Sequence, residues 1–344
     1  MMKRISRYKE SGSVLILALW TLVTLSIFSI YIGLRLRQRI ALLAHIETKS
    51  QLHYVAEAGV KKAISALRLD WQRSDQKYSA DSKAYRHNNM DKFSNITVGS
   101  GICDVKYIFF DGVDVNPQLR YGFIDEERKI NINVVDRNTL RNLIEIVLSL
   151  HQDDAQTLAE SIIEWRERTQ RQLTGFYSDD FYASLQYPYE RKKSDYERIE
   201  ELLLVRGVSQ EAFDRLAPFL TVYGDGLVNI NTAPREVLLT LGLDGPTVDK
   251  LLSVRRGLDG VEDTTDDYVF QRTYDIASEM ANLVKLEENE IKRIDVLNAA
   301  GIIKTNSFYY FIQSYGRLEN RGSSLSVVCV YDVRQNRIVY WKEK

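Results

Sequence analysis

The sequence predicts an α+β fold. It has a long N-terminal helix, an antiparallel sheet drawn from two separated stretches of chain, and a large all-α domain inserted between those stretches. Three observations predict this. A charge-free apolar run near the N-terminus passes into a helically spaced pattern. Runs rich in Tyr, Phe, Val and Ile occupy 93–133 and again 306–344. Between them, from about 136 to 300, apolar residues recur at helical spacing. A chain of 344 residues is long enough for two or three domains. Its 46 Lys+Arg and 47 Asp+Glu leave a net charge of −1, which argues against a protein that coats nucleic acid. Two cysteines cannot build a disulfide framework or a four-thiolate zinc site, and four histidines leave little material for a histidine-based enzyme.

The first element is the most informative. Residues 1–12 read MMKRISRYKESG, with Lys3, Arg4, Arg7 and Lys9 against Glu10 alone. Ser13 to Leu34 then carries no charge. Val14–Leu34 is about 31 Å long as a helix at ~1.5 Å per residue, which matches a hydrocarbon core of ~30 Å. Trp20 and Tyr31 are suited to the interfaces. A cleavable secretory signal has a shorter core and a small-residue cleavage site after it, whereas Arg35, Arg37 and Arg39 follow this run directly. A plain N-terminal anchor is the simplest alternative, and basic residues at both ends leave its orientation open. Further on, Leu36, Ile40, Leu43 and Ile46, then Val55, Val60, Ala63, Ile64 and Leu67, keep helical spacing.

A polar stretch after Trp71 reads as a loop. FSNITVG (93–99) and ICDVKYIFF (102–110) form a hairpin through Gly99-Ser100-Gly101, and 121–133 adds a strand or a pair. Residues 306–319, 323–334 and 337–344 read as three more antiparallel strands. Helices are expected at 137–150, 154–169, 197–205, 210–220, 234–241 and 246–256. One motif occurs twice: KININVVDRNTLRNLI (129–144) and GLVNINTAPREVLLTL (226–241) both place N-x-N ahead of an apolar helix. Asn131, Asn133, Asn229 and Asn231 suit turns, Asp136 or Thr232 suits a cap, and Pro234 suits a first helical turn. Cys103 and Cys329 fall in strands and read as two buried free thiols, with a disulfide as the alternative. Arg191, Lys192 and Lys193 read as a solvated charge run, DGVDVN (111–116) as a turn, and Trp165 and Trp341 as core residues.

A basic leader ending in glycine and followed at once by an apolar helix resembles the class III signal of type IV pilins and pseudopilins. The resemblance implies cleavage between Gly12 and Ser13 by the prepilin peptidase, N-methylation, and retention of the helix. AEAGVKKAISAL (56–67) resembles the second half of a pilin N-terminal helix. KININVVDRNTLRNLIEIVLSL, AESIIEWRERT (159–169), FYSDDFYASLQYPYERKKSDYERIEELLLVRGV (176–208) and LTVYGDGLVNINTAPREVLLTL (220–241) follow in the order found in the protein K family of type II secretion minor pseudopilins. That resemblance implies a leader at 1–12, an N-terminal helix at 13–70, a pilin-like head at 71–128 completed by strands at 301–344, and an inserted helical domain at 129–300. It implies a single-pass inner-membrane protein with its C-terminal part in the periplasm. The expected partners are the I and J minor pseudopilins, the major pseudopilin and the inner-membrane assembly platform. The fifth residue after the cut, usually glutamate in pilins, is Leu17 here. The family also implies calcium in the helical domain, with Glu164, Glu167, Asp179, Asp180 and Asp195 as candidate ligands. Two other readings remain: a minor pilin of a type IV pilus, and a membrane-anchored helix-hairpin-helix protein that binds nucleic acid through the turn at Gly207. Neither nucleic acid binding nor catalysis is expected.

Overall fold

The computed structural model describes residues 11–75, 88–110, 117–168, 179–264, 266–319 and 321–344. The chain forms two units, Met1–Tyr54 and Val55–Lys344. Helix α1 (Ser11–Asp75) is the first element. From Val14 to Leu43 its large apolar side chains are exposed all round: Val14, Leu25 and Ile30 are 71, 65 and 64% accessible. The hydroxyls of Thr21 and Thr24 donate to the carbonyls of Ala18 and Trp20, so these polar groups are satisfied inside the helix. It is a helix long and apolar enough to cross a membrane.

The second unit is built on a seven-stranded antiparallel sheet. Helix α2 (Met90–Phe93) is capped by Asn89 and leads into β1 (Ile96–Val98) and β2 (Gly101–Phe109), which pair as the expected hairpin. β3 (Gln118–Tyr121) pairs with β2, and β4 (Phe123–Asp125) pairs with a strand from the far end of the chain. Those late strands are β9 (Tyr309–Leu318), β10 (Arg321–Asp332) and β11 (Arg337–Glu343), giving the order β1-β2-β9-β10-β11. β2 therefore pairs with β9 across the whole insert. One face of the sheet carries the rest of α1. Val55, Ala56, Val60, Ala63 and Leu67 are buried there. Gly59 sits so close that an added Cβ would lie 2.2 Å from Ser314 Oγ.

The insert begins after a 3-10 turn at Glu126–Arg128. Its elements are β5 (Ile130–Asn131), α3 (Arg137–Leu148), α4 (Gln152–Arg166), α5 (Asp179–Ala183), a 3-10 helix (Ile199–Leu204), α6 (Gln210–Leu216), β6 (Leu220–Thr221), β7 (Val228–Asn229), α7 (Arg235–Thr240), α8 (Gly245–Arg255), α9 (Ile276–Leu283), α10 (Glu288–Ala300) and β8 (Ile303–Lys304). A continuous apolar core including Leu140, Ile162, Leu202, Leu238, Leu251 and Ile276 holds them together. Three expectations are corrected. Residues 199–204 form a 3-10 helix, with Glu201 folding back onto the backbone N–H of Arg198. Pro234 stands one residue before α7 as its N-cap. Thr232 does not cap α7, because its hydroxyl donates to Asp125 Oδ2. Asp136 does cap α3, accepting from the N–H groups of Asn138 and Thr139.

The doubled N-x-N motif is doubled in space. β5 pairs with β6 in parallel, and β7 pairs with β8 in parallel. Asn131 Oδ1 accepts from Asn133 N at 2.9 Å, and Asn229 Oδ1 from Asn231 N at 3.1 Å. Asn133 then clamps Tyr196 through both its N–H and C=O, and Asn231 clamps Phe270 in the same way. Arg166 donates to the carbonyls of Ile132 and Val135, and Arg255 to those of Ile230 and Ala233. The insert is thus two copies of one unit: a short strand, an asparagine turn, and a helix pair whose second helix ends in an arginine bound to that turn.

Candidate functional site

Three parts of the structure are candidates for function: the apolar helix, the joint between sheet and insert, and the exposed grooves and clusters. The apolar helix is α1. Gly12 and Ser13 lie in its first turn, and Leu17 is exposed at 66% one turn further on. From Val14 to Ile46 the helix carries no carboxylate. Residues 1–10 of the leader lie outside the described residues, as do DGVDVN (111–116) and Thr169–Ser178.

The joint between sheet and insert is an acidic run, Asp125-Glu126-Glu127, which sequence reasoning read only as part of a strand. All three are buried. Asp125 accepts from Asn229, Ser307 and Thr232. Glu126 accepts from Thr221 at 2.6 Å and pairs with Lys129 at 2.6 Å. Glu127 pairs with Lys304 at 2.6 Å and accepts from the backbone N–H of Phe308. Burial raises the Glu127 carboxyl above its usual range, against the pull of Lys304. Nearby, Arg120 and Arg128 stack on Phe109 at 3.5 and 4.5 Å. Arg120 also binds Asp263, while Arg255 binds Glu262. Burial alone would push Glu262 up, but the surrounding guanidiniums, Arg255 first, hold it low. These contacts fasten β2 and β3 to the segment following α8. The one available signal was the density of acids beside short strands.

The calcium candidates separate. Glu164 and Asp179 come together, but around a cation that the chain supplies. Arg191, read from sequence as solvated, is only 5% exposed. Its Nε donates to Asp179 Oδ1 at 2.7 Å, and its Nη1 donates to the Glu164 carbonyl at 2.6 Å and lies 3.7 Å from Glu164 Oε1. Lys193 Nζ lies 3.0 Å from Asp179 Oδ2. Hydrogen bonds from Arg191 and Lys193 hold the Asp179 carboxyl below its ordinary value. Burial raises that of Glu164, opposed by Arg191. Glu167 pairs with Arg137 at 3.8 Å, while Asp180 and Asp195 are exposed. Among the described residues no three acidic, histidine or cysteine side chains could hold a metal ion together. This donor set does not fit a hard divalent cation, which wants six to eight oxygens.

Trp165 packs in the insert against Tyr182 and Tyr189, whereas Trp341 is only half-buried in β11. Cys103 and Cys329 are buried free thiols, pushed up to about 11 and about 12 by burial. Cys103 stands opposite Gly316 on β9, and Cys329 opposite Ile312 from the other side. Four residues of offset at ~3.3 Å each, across two strand spacings of ~4.8 Å, keep them far beyond the ~7 Å limit for a disulfide. The turn at Gly207 has the left-handed φ of +85° expected of a hairpin, but its neighbour Arg206 lies over the ring of Phe181. On the sheet face opposite α1, two adjoining grooves of about 180 and 340 Å³ run along Phe311 and Gln313, with Tyr340 and Lys342 on one flank and Arg128 on the other.

Residues 126–225, which contain Glu126 and Glu127 of the acidic joint, the first asparagine unit and the Arg191 cluster, match the family described as type II secretion system, protein K. Over that stretch the chain is similar to the protein K family. Its fold is also that of a chain in the crystal structure of the GspK-GspI-GspJ complex from the type 2 secretion system of enterotoxigenic Escherichia coli. The TM-score is 0.61 at 13% sequence identity, over 88% of this chain and 99% of that one. No curated protein matches by sequence. The match lies in the insert, and α1, outside it, is long and apolar enough to cross a membrane.

Proposed function

We propose that this chain is the minor pseudopilin at the tip of the type II secretion pseudopilus, where it primes fibre assembly and helps drive folded proteins across the outer membrane. The observation that carries this is α1, a single helix whose apolar, acid-free first part leads into a head with a helical insert. A carboxylate in a membrane-spanning helix costs about 2.5–3.5 kcal/mol on insertion scales. The glutamate that most pilins keep there pairs with the terminal ammonium of the subunit ahead. Leu17 stands in its place, and a subunit with no neighbour ahead has no use for that glutamate. The bulk of the insert argues the same way, since it obstructs stacking above the head.

On this reading the prepilin peptidase cuts between Gly12 and Ser13, and the new terminus is methylated. The head lies in the periplasm and α1 in the inner membrane. The partners are the I and J minor pseudopilins, then the major pseudopilin and the assembly platform. The work is mechanical and needs no catalytic residue. Mass spectrometry of the membrane-extracted protein is the test. A mature chain beginning at Ser13 supports the proposal, whereas an intact Met1 or a cut beyond Leu34 removes it. Replacing Gly12 with leucine should block both processing and secretion, and unchanged secretion would count against the mechanism.

A further inference from the structure

The insert contains a buried charge cluster that the assembly role does not use. At the end of α4, the Glu164 and Trp165 carbonyls and the Glu164 carboxylate face the start of α5, where Asp179 stands. Arg191 fills the space between, bound to Asp179 Oδ1 at 2.7 Å and to the Glu164 carbonyl at 2.6 Å. Lys193 completes the cluster. Its N–H donates to the Trp165 carbonyl at 3.0 Å, and its Nζ reaches Asp179 Oδ2. To do both, Lys193 takes a left-handed φ of +53°, a conformation uncommon outside glycine. Tyr182 and Tyr189 pack beside it on Trp165, Tyr182 buried and Tyr189 at the surface.

Among the described residues, charge and geometry both disfavour a divalent ion here. Two carboxylates face two fixed cations, so the cluster is already neutral. A 2+ ion would have to compete with Arg191 and Lys193 for the same two carboxylates. Both Asp179 oxygens and the Glu164 and Trp165 carbonyls, which a metal would need at about 2.3–2.6 Å, instead each meet a nitrogen. A guanidinium suits the site because it stays charged at every accessible pH and presents planar donors in several directions.

We propose that Arg191, seconded by Lys193, is a built-in cation that ties α4 to α5 and the 189–193 segment, and so holds this cluster together without calcium. The inference rests on the insert's own geometry and stands whether or not the chain caps a pseudopilus.

Thermal unfolding of the full chain in detergent micelles, with 5 mM EDTA or 5 mM CaCl2, is the test. The wild-type protein should melt at the same temperature in both. Arg191→Gln should melt lower in EDTA, by roughly the several degrees expected when a buried pair loses one partner, and calcium should recover part of the loss, because the freed oxygens then face a vacant cation position. Arg191→Lys keeps the charge and should stay indifferent to calcium. A wild-type protein that calcium stabilises and EDTA destabilises overturns the proposal. So does an Arg191→Gln protein that melts like wild type or gains nothing from calcium. If Arg191→Gln does not fold, the wild-type comparison still decides.

Discussion

Asp136 shows how much one side chain settles. It ends the N-x-N turn, stops the extended segment and starts α3. Burial tends to raise its carboxyl, but hydrogen bonds from Thr139 and the N–H groups of 138 and 139 outweigh that and leave it below its ordinary value. A carboxyl lowered by folding adds stability above its unfolded pKa and loses it as pH falls through the folded one. Asp136→Asn keeps an acceptor for the helix N–H groups but cannot ionise. Its deficit relative to wild type should therefore be present at pH 7 and vanish toward pH 2–3, read from urea midpoints. Asp136→Ala should cost about 1 kcal/mol at pH 7. A constant deficit for Asp136→Asn across that range would sink the argument. This cap was legible because Asp before an apolar periodic run has one common use. Arg191 was not. Arg-Lys-Lys in a polar stretch looks solvated, and only the return of the chain beneath α4, twenty-odd residues later in sequence, buries it. The acidic run at 125–127 was hidden for the same reason, since apart from Lys129 the side chains and backbone groups that bind it from other elements lie 95 or more residues away.

At the scale of elements, the long strands and helices were legible because each repeats its period several times. The hairpin at Gly99, the pairing of late strands and the α3, α4 and α8 helices all emerge near their expected bounds. The two-residue parallel ladders did not, because such a ladder carries no periodicity and its register is set by tertiary contacts alone. The doubled motif was visible, but its meaning was not; the clamps on Tyr196 and Phe270 supply it. Packing of α1 on the sheet yields a sign test. Ala is better than Gly in a helix by about 1 kcal/mol. At position 59, however, an added Cβ would meet Ser314 Oγ at 2.2 Å and Ser314 Cβ at 3.2 Å, and overpacking of this kind costs about 1–3 kcal/mol. Gly59→Ala should therefore destabilise the protein by ~1 kcal/mol. In a Ser314→Gly background the same change should be neutral or stabilising. A chemical denaturation cycle over the four proteins measures the coupling, and equal effects in both backgrounds would refute close helix–sheet contact at this point.

For the whole molecule, the question is why a helix that resembles a pilin anchor should lack the acid that most pilins carry at this place. Two accounts predict opposite signs for Leu17→Glu. If the chain sits inside a fibre, with a subunit ahead of it, the new carboxylate gains the ammonium of that neighbour and the variant should secrete as well as wild type or better. If the chain caps the fibre, the carboxylate meets no partner. It then carries the full insertion penalty of about 2.5–3.5 kcal/mol, enough to shift any membrane-embedded docking equilibrium by roughly a hundredfold. The remaining apolar residues of the 14–34 stretch still hold the helix in the bilayer, so the protein should remain in the membrane fraction after alkaline extraction while its recovery with the I and J pseudopilins falls. Leu17→Gln separates charge from shape: a neutral polar group should cost less and restore much of the recovery. The expected order for both partner recovery and secretion is Leu17, then Gln, then Glu. Secretion by Leu17→Glu at or above the wild-type level, with the variant still membrane-bound, would place another subunit ahead of this one and remove it from the tip.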